Sequence, residues 1–360
     1  MIQCNNCMGC GACANICPVD CITMVPGEKG FLQPYVDKDK CIHCGRCHDI
    51  CIMNQELNDA EDMKDAYLFV NRDQYDRNLS SSGGFVKALA DYIIEEKNGV
   101  CFGAAFAEDL SVHHISVENK DDLYAILASK YVQSATEKTY REVKEFLQKK
   151  RWVLYTGTPC QIAGLISYLG GKKYETLITV DIFCHGVPSQ EFWKRYLQEY
   201  YGEEEIRYVQ FRDKTLGWWN YRFRIQFAHG EVASMYRPPT DDYIKLFLNR
   251  ISINEKCMNC KYRKKKRVSD FYIGDAWNIN KIKQNMDDNR GITTVVINTK
   301  KAKEIFDCLK ERNHAFPISL QNGVFSREEL FHGNETTEKR EAFWKYYDRN
   351  IKEIVSKIGV

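Results

Sequence analysis

No stretch of this 360-residue chain approaches the roughly 20 consecutive apolar residues that a membrane-crossing helix requires, so no membrane span is expected. The first residues, MIQCNNCMGC, also lack the basic and apolar regions of a secretory signal, and a cytoplasmic protein is expected. Charge of one sign is missing too. The 51 basic residues stand against 49 acidic ones, and a net charge of +2 leaves no electrostatic footprint for nucleic acid. No period of 20 to 50 residues recurs beyond one duplicated cysteine pattern, which excludes solenoids and propellers. With 44% apolar residues the chain can nevertheless bury a large core, and its length fits one small and one large domain.

What the chain does have is cysteine. There are 16, ten of them within the first 51 residues. A disulfide scaffold of that density would be a short secreted chain, so metal ligation is the better reading. Cys7, Cys10, Cys13 and Cys17 stand as C-x-x-C-x-x-C-x-x-x-C before Pro18, and Cys41, Cys44, Cys47 and Cys51 repeat the spacing. Such tight spacing lets one loop wrap three corners of a cubane while the fourth cysteine reaches the other cluster. Residues 3–53, including "CPVDCI", resemble the bacterial two-cluster ferredoxin module. By that resemblance Cys7, Cys10, Cys13 and Cys51 hold one 4Fe–4S cluster, and Cys17, Cys41, Cys44 and Cys47 hold the second. One departure is Ile52 where a proline is usual. Cys4 and Cys21 fall outside both runs and are read as spare or packing residues.

After the polar stretch "NQELNDAEDMKDA" the pattern changes. "AYLFV", "GVCFGAAF", "WVLYTG", "LITVDIF" and "TTVVIN" read as strands, and residues 85–97, 137–149, 161–169, 189–201 and 301–311 as helices. The alternation predicts an α/β (α+β) core with a mixed sheet and antiparallel additions around residues 205–235. The expected domains are 1–57, a hinge at 58–65, and 66–360.

Three loops of the large domain carry candidate chemistry. "SSSGGF" precedes a helix and could receive a phosphate on its backbone N–H groups, although a serine cap with turn glycines reads as well. "ASKYVQS" offers Lys130 as a phosphate partner or a solvated lysine. "FRDKTLGWW" gathers Arg212, Lys214 and aromatic rings, which suits an anionic planar ligand or a buried strand end.

In order, "SSGGF", "SKYVQS", "TGTPCQIAGL", "DIFCHGVPS", "FRDKTLGW", "CMNCKYR" and "SDFYIGDAW" resemble the beta subunit of coenzyme F-420-reducing hydrogenase and its dehydrogenase relatives, over about residues 64–280. The resemblance implies a non-Rossmann flavin-binding domain, with FAD rather than FMN, beside an iron–sulfur cluster. It implies that Ser81, Ser82, Gly83 and Gly84, with Lys130, Tyr131, Gln133 and Ser134, hold the flavin. Thr158, Lys214 and Asp275 complete the expected cofactor contacts, Asp275 reading equally well as a turn residue.

Cys160 poses the sharpest question. Thr158 caps a helix whose first turn holds Pro159, so the helix dipole favours the Cys160 thiolate, which suits a nucleophile and a ligand alike. Cys184 after a strand and the Cys257–Cys260 pair make up a fourfold set with it, and a third 4Fe–4S cluster is favoured over zinc or redox thiols. Cys101 and Cys308 lie in apolar strand and helix patterns and are expected in the core. The basic run "KYRKKKRV" reads as a solvated loop or a docking patch for an acidic electron carrier. His185 is a candidate proton relay.

The expected function is a flavin-dependent iron–sulfur oxidoreductase with three 4Fe–4S clusters, exchanging electrons between a ferredoxin-like carrier or redox-complex subunit and a small two-electron acceptor. The alternative is a non-enzymatic electron-transfer subunit. A homo-oligomeric state is compatible with either.

Overall fold

The computed structural model describes residues 7–57, 65–235, 239–325, 331 and 337–360. Cys4 and most of the expected hinge lie outside them. In the N-terminal part, β1 (Ile22–Pro26) pairs antiparallel with β2 (Leu32–Val36). Two short helices, Ala12–Ile16 and Arg46–Asp49, carry the third cysteine of each run. Gly11 (φ 74°) and Gly45 (φ 77°) precede them in the left-handed region, where a side chain would be strained. The duplicated cysteine spacing is thus matched by a duplicated turn.

The large part is built on an eight-stranded mixed sheet. Its strands are β3 (Asp65–Val70), β4 (Val100–Phe106), β5 (Val112–Val117), β6 (Val153–Gly157) and β7 (Leu177–Ile182). After an insertion come β11 (Phe271–Asp275), β12 (Thr293–Ile297) and β13 (His314–Ile318). The insertion holds β8 (Ile206–Asp213), β9 (Arg222–Phe227) and β10 (Gly230–Met235), a separate antiparallel sheet where antiparallel additions are expected. The spatial order of the large sheet is β13-β3-β12-β11-β7-β6-β4-β5. β4, β6, β7 and β11 run parallel, and the flanking strands are antiparallel to their neighbours. Parallel neighbours need helical crossovers, and Pro159–Tyr168 supplies the one between β6 and β7.

All five strands read from the sequence form central members of this sheet; the edge strands β5 and β13 carry a weaker apolar signal because each is only partly buried. Helices Phe85–Asp91 and Lys300–Arg312 pack on one face of the sheet, and Thr139–Gln148 and Pro159–Tyr168 on the other. A third, aromatic core lies between β8 and β9 and the helices Gln190–Tyr201, Asp242–Leu248, Glu338–Lys345 and Ile351–Ile358. Cys101 is buried in β4, as expected. Cys308 is not: Ala302, Ile305, Phe306 and Leu309 form the buried stripe of its helix, and Cys308 falls beside that stripe and is exposed.

Candidate metal centres and the strand-end site

Three parallel strands deliver their carboxyl ends to one edge of the sheet. Gly157 of β6 lies opposite Asp181 of β7, and Ile182 opposite Ile273 of β11. In open α/β sheets this edge is where ligands collect. Cys160 follows β6 in the first turn of its helix, Cys184 follows β7, and Cys257 and Cys260 arrive from the Glu255–Met258 helix and the loop after it. The structure brings all four to the lining of one cavity, with Met8 and Arg263 among its other walls. Residues separated by up to 100 positions thus line one cavity.

The surroundings of Cys160 overturn the expectation of a favoured thiolate. Burial pushes its thiol well above the ordinary range, with Cys260, Cys184 and Cys257 adding to the rise and the Thr158 hydroxyl, 3.2 Å from Sγ, only partly opposing it. Burial likewise pushes Cys184 up to about 11 and raises Cys257 and Cys260. A nucleophilic cysteine needs a depressed pKa, which this one lacks. Four neighbouring sulfurs that ionise only against a compensating charge fit the donor set of a thiolate-bound metal centre. Among the described residues no three Cys, His, Asp or Glu side chains converge on a single-ion site. A cubane holds its thiolates at separate corners and places a different demand on them.

The basic run divides around this cavity. Arg263 and Arg267 are buried and favour the thiolate forms of Cys184 and Cys260, while Lys264, Lys265 and Lys266 are exposed. Arg267 is itself paired with buried Asp181 at 3.2 Å. One further contributor is invisible in the sequence. Arg340 donates to the carbonyls of Arg250, Ile251 and Ile253, fixing the chain that leads to Cys257. It lies 80 residues downstream of Cys260 with no local signature.

In the N-terminal part, Cys17, Cys41, Cys44 and Cys47 line a second cavity of about 370 Å³. Cys21, expected to be spare or to pack, is buried and lines it too, with its Sγ 3.4 Å from that of Cys17. Burial raises the Cys13 thiol, and Cys10, Cys51 and Cys47 are the neighbouring sulfurs that add to the rise. Cys7 Sγ accepts from the Gly9 N–H at 3.3 Å. Cys13 thus has sulfur neighbours in both runs, Cys10 in its own and Cys51 and Cys47 in the other.

The N-terminal part is seated on a seam of the large one. Thr136 Oγ1 and Tyr140 Oη donate to the Cys10 carbonyl, and Arg141 donates to those of Asn15 and Cys17. Gln133, expected at the flavin, accepts from the Leu32 N–H at 2.8 Å and lies against Gly9, where a Cβ would meet its amide at 2.2 Å. Its Oε1 is committed to this seam, while its Nε2 is buried with no hydrogen-bond partner among the described residues.

The remaining candidates gather where β3 and β11 end. Asp275 pairs with buried Arg212 (2.9 and 3.2 Å) and accepts from Trp218 Nε1, and Arg212 lies over the Tyr221 ring at 3.9 Å. Lys214 donates to the carbonyls of Arg77, Ser82 and Arg290, and burial pushes it down to about 7. Ser81 Oγ accepts from Ser129, Ser82 Oγ donates to the Ile292 carbonyl, and the Gly83 N–H donates to Thr293 Oγ1. Gly83 is required by packing, since a Cβ would meet the Phe69 carbonyl at 2.3 Å. Gly84, with φ 86°, caps the following helix.

Lys130 is half-buried rather than solvated, donates to the Leu127 carbonyl at 2.6 Å, and is pushed down to about 7 by burial. Tyr131 stacks on Phe247 at 4.5 Å, and Phe247 meets His185 edge-on at 5.0 Å. His185 Nε2 donates to the Phe247 and Leu248 carbonyls, and burial lowers it to about 4, so the ring serves as a neutral donor to the main chain.

Ser134 Oγ donates to His114 Nδ1 at 2.8 Å, and His114 Nε2 donates to the Thr156 carbonyl at 3.0 Å. Burial lowers His114 from 6.5 to about 4. Its folded pKa lies below the unfolded one, so its contribution is complete above about pH 6.5 and is lost as pH falls toward 4, by up to about 1.4 kcal/mol per pH unit. His114→Gln is expected to flatten the dependence of the urea midpoint on pH between 6.5 and 4.5. Equal slopes for the variant and the natural protein would show that His114 does not titrate in this window.

Residues 150–316 match the family model for the C-terminal part of the coenzyme F420 hydrogenase/dehydrogenase beta subunit, and residues 6–54 match that of the 4Fe-4S dicluster domain. Over that region the chain is similar to the F420 hydrogenase/dehydrogenase beta subunit. A 4Fe-4S dicluster region precedes it, which makes this an iron–sulfur redox protein with a mixed α/β core. Among solved structures, a xenon derivative of the F420-reducing [NiFe] hydrogenase complex from Methanosarcina barkeri is similar. The alignment covers 84% of this beta-subunit relative and 93% of the hydrogenase chain, at 14% identity and a TM-score of 0.51, a likeness of fold. No curated protein matches the sequence. No helix among the described residues is long and apolar enough to cross a membrane.

Proposed function

We propose that this chain is a flavin-dependent iron–sulfur oxidoreductase that exchanges electrons between a ferredoxin-like partner and a small two-electron acceptor, such as a deazaflavin. The observation that carries the reading is the convergence of Cys160, Cys184, Cys257 and Cys260 on one cavity that abuts the dicluster domain. Three cysteine sets would hold three 4Fe–4S clusters: Cys7, Cys10, Cys13 and Cys51; Cys17, Cys41, Cys44 and Cys47; and the strand-end set. When bound, the clusters carry electrons singly and the flavin, FAD by preference, collects them as a pair.

The chain's own residues do the rest. Arg263 and Arg267 offset the charge of the strand-end thiolates from buried positions. Lys130 fits an anionic group, because a half-buried ammonium whose pKa burial has depressed gains from a negative neighbour. It would meet the flavin phosphates, with Tyr131 and the Ser81–Gly84 loop beside it. Gln133, Lys214 and Asp275 act at one remove, through the seam and the Arg212 network. The proposed domains are residues 1–57 and 66–360, and the proposed partners are a one-electron carrier or a subunit of a redox complex.

Anaerobic purification with iron, acid-labile sulfide and flavin analysis tests this. The expected yield is about twelve irons per chain, from three cubanes, and one releasable flavin. Reduced ferredoxin should then turn over F420, a nicotinamide or a quinone. Stoichiometric clusters without flavin, even after reconstitution with FAD and FMN, and without turnover would establish an electron-transfer subunit instead.

A further inference from the structure

The strand-end cavity has a wall that does not belong to the large domain. Met8, between Cys7 and Gly9, lines it. Two residues on, Cys10 lies against the helix that carries Cys160. The contact is made at Gly164, four residues after Cys160 and therefore about one helical turn along the same face. A Cβ at Gly164 would meet Cys10 Cβ at 3.1 Å, Cys10 Sγ at 3.2 Å and Tyr140 Oη at 3.0 Å. Gly164 has ordinary helical neighbours and no left-handed φ, so its lack of a side chain serves this approach rather than the backbone.

Two tyrosines tie the same loops together. Tyr140 Oη lies 2.8 Å from the carbonyl of Cys10 and 2.8 Å from that of Gln161, the residue after Cys160, its single hydrogen shared between them. Tyr262, two residues after Cys260, donates to the carbonyl of Ile52, the residue after Cys51, at 2.6 Å. Both ties join a loop of the strand-end set to a loop of the Cys7, Cys10, Cys13 and Cys51 set. By contrast, the cavity of Cys17, Cys41, Cys44 and Cys47 is lined wholly by residues 17–47, and Cys44 is exposed.

We propose that the Cys7–Cys10 loop, seated on Gly164, is the crossing point between the dicluster domain and the strand-end centre. The Cys7, Cys10, Cys13 and Cys51 set is the inner station, and the Cys17, Cys41, Cys44 and Cys47 set is the outer one. Gly164, Tyr140 and Tyr262 are positioning residues that hold the inner ligands against the Cys160 helix. Each crossing moves one electron: the inner centre is oxidised by one, the strand-end centre is reduced by one, and no bond or proton changes place. The electron is supplied by a one-electron reductant at the outer station. The inference rests on the reading of all three sets as clusters.

Electron paramagnetic resonance of dithionite-reduced protein, with parallel iron counts, tests it. The strand-end signal should be broadened by spin coupling to a neighbour. Cys13→Ser, which removes an inner ligand, should abolish that broadening, and Cys41→Ser, which removes an outer one, should leave it. Broadening that follows Cys41 rather than Cys13 overturns the order of stations. Gly164→Leu should keep the full iron content yet weaken the coupling as Cys10 is displaced, and unchanged coupling at full iron overturns the role of Gly164. If Gly164→Leu loses iron or fails to fold, the Cys13 and Cys41 pair still decides the order. A natural protein holding only about eight irons defeats the strand-end cluster itself, a result distinct from a misordered relay.

Discussion

Cys160→Ser is expected to remove close to four irons of about twelve, leaving the dicluster complement of about eight. The N-terminal cysteines supply their own donors, so their centres should survive even though Cys10 lies one turn away on the Gly164 face. The remaining three sulfurs are buried thiols with raised pKa values, and without a fourth ligand they should protonate rather than retain an incomplete centre. Flavin should stay bound. Reduction by a protein donor should collapse, while direct chemical reduction of the flavin should continue. Cys101→Ser is the control: its thiol, buried by β4 and donating to the Ala90 carbonyl, is remote from the cavity and should cost no iron. Full iron in Cys160→Ser with abolished turnover would restore Cys160 as a catalytic thiol.

Asp275→Asn is expected to destabilise the fold by roughly 3–5 kcal/mol, the usual cost of stranding one partner of a buried ion pair. The Arg212 side chain is 3% exposed and that of Asp275 16%, so solvent can do little for the abandoned guanidinium. The Arg212 pair holds Asp275 below the usual carboxylate range despite burial, which keeps the pair charged. The loss should appear in urea denaturation at neutral pH. Replacing both partners, as Arg212→Met with Asp275→Leu, should recover most of it, because no charge is then left unpaired. A loss below about 1 kcal/mol would exclude a structural ion pair. If flavin were lost at unchanged stability, Asp275 would be a direct cofactor contact.

The large-domain candidates divide by how far apart their partners lie. In sequence Lys214 reads as a contact for an anionic planar ligand or as part of a buried strand end, and Asp275 as a cofactor contact or a turn residue. In the fold Lys214 is held by three carbonyls from residues 77, 82 and 290, and Asp275 by Arg212. Gln133 likewise meets Leu32, 101 residues away. Nothing local distinguishes such a residue from a ligand contact.

By itself the sequence determined what local geometry can encode. The cysteine spacing announces ligand loops because consecutive donors must wrap one centre within a few residues. The β-rich runs place five of the six central strands because each is apolar enough to be buried on both faces. The Thr158-Pro159 pair marks the start of the Cys160 helix, where the Thr158 N–H does donate to Gln161. Tertiary structure alone decided the rest. It turned Arg263 and Arg267 inward while leaving Lys264 to Lys266 outside, exposed Cys308, committed Lys214 and Asp275 to protein partners, and set Cys10 on Gly164. The physical reason is common to all of these. Burial and charge compensation depend on which distant segments pack together, and the parallel strand order, with its shared carboxyl edge, is what packs these segments.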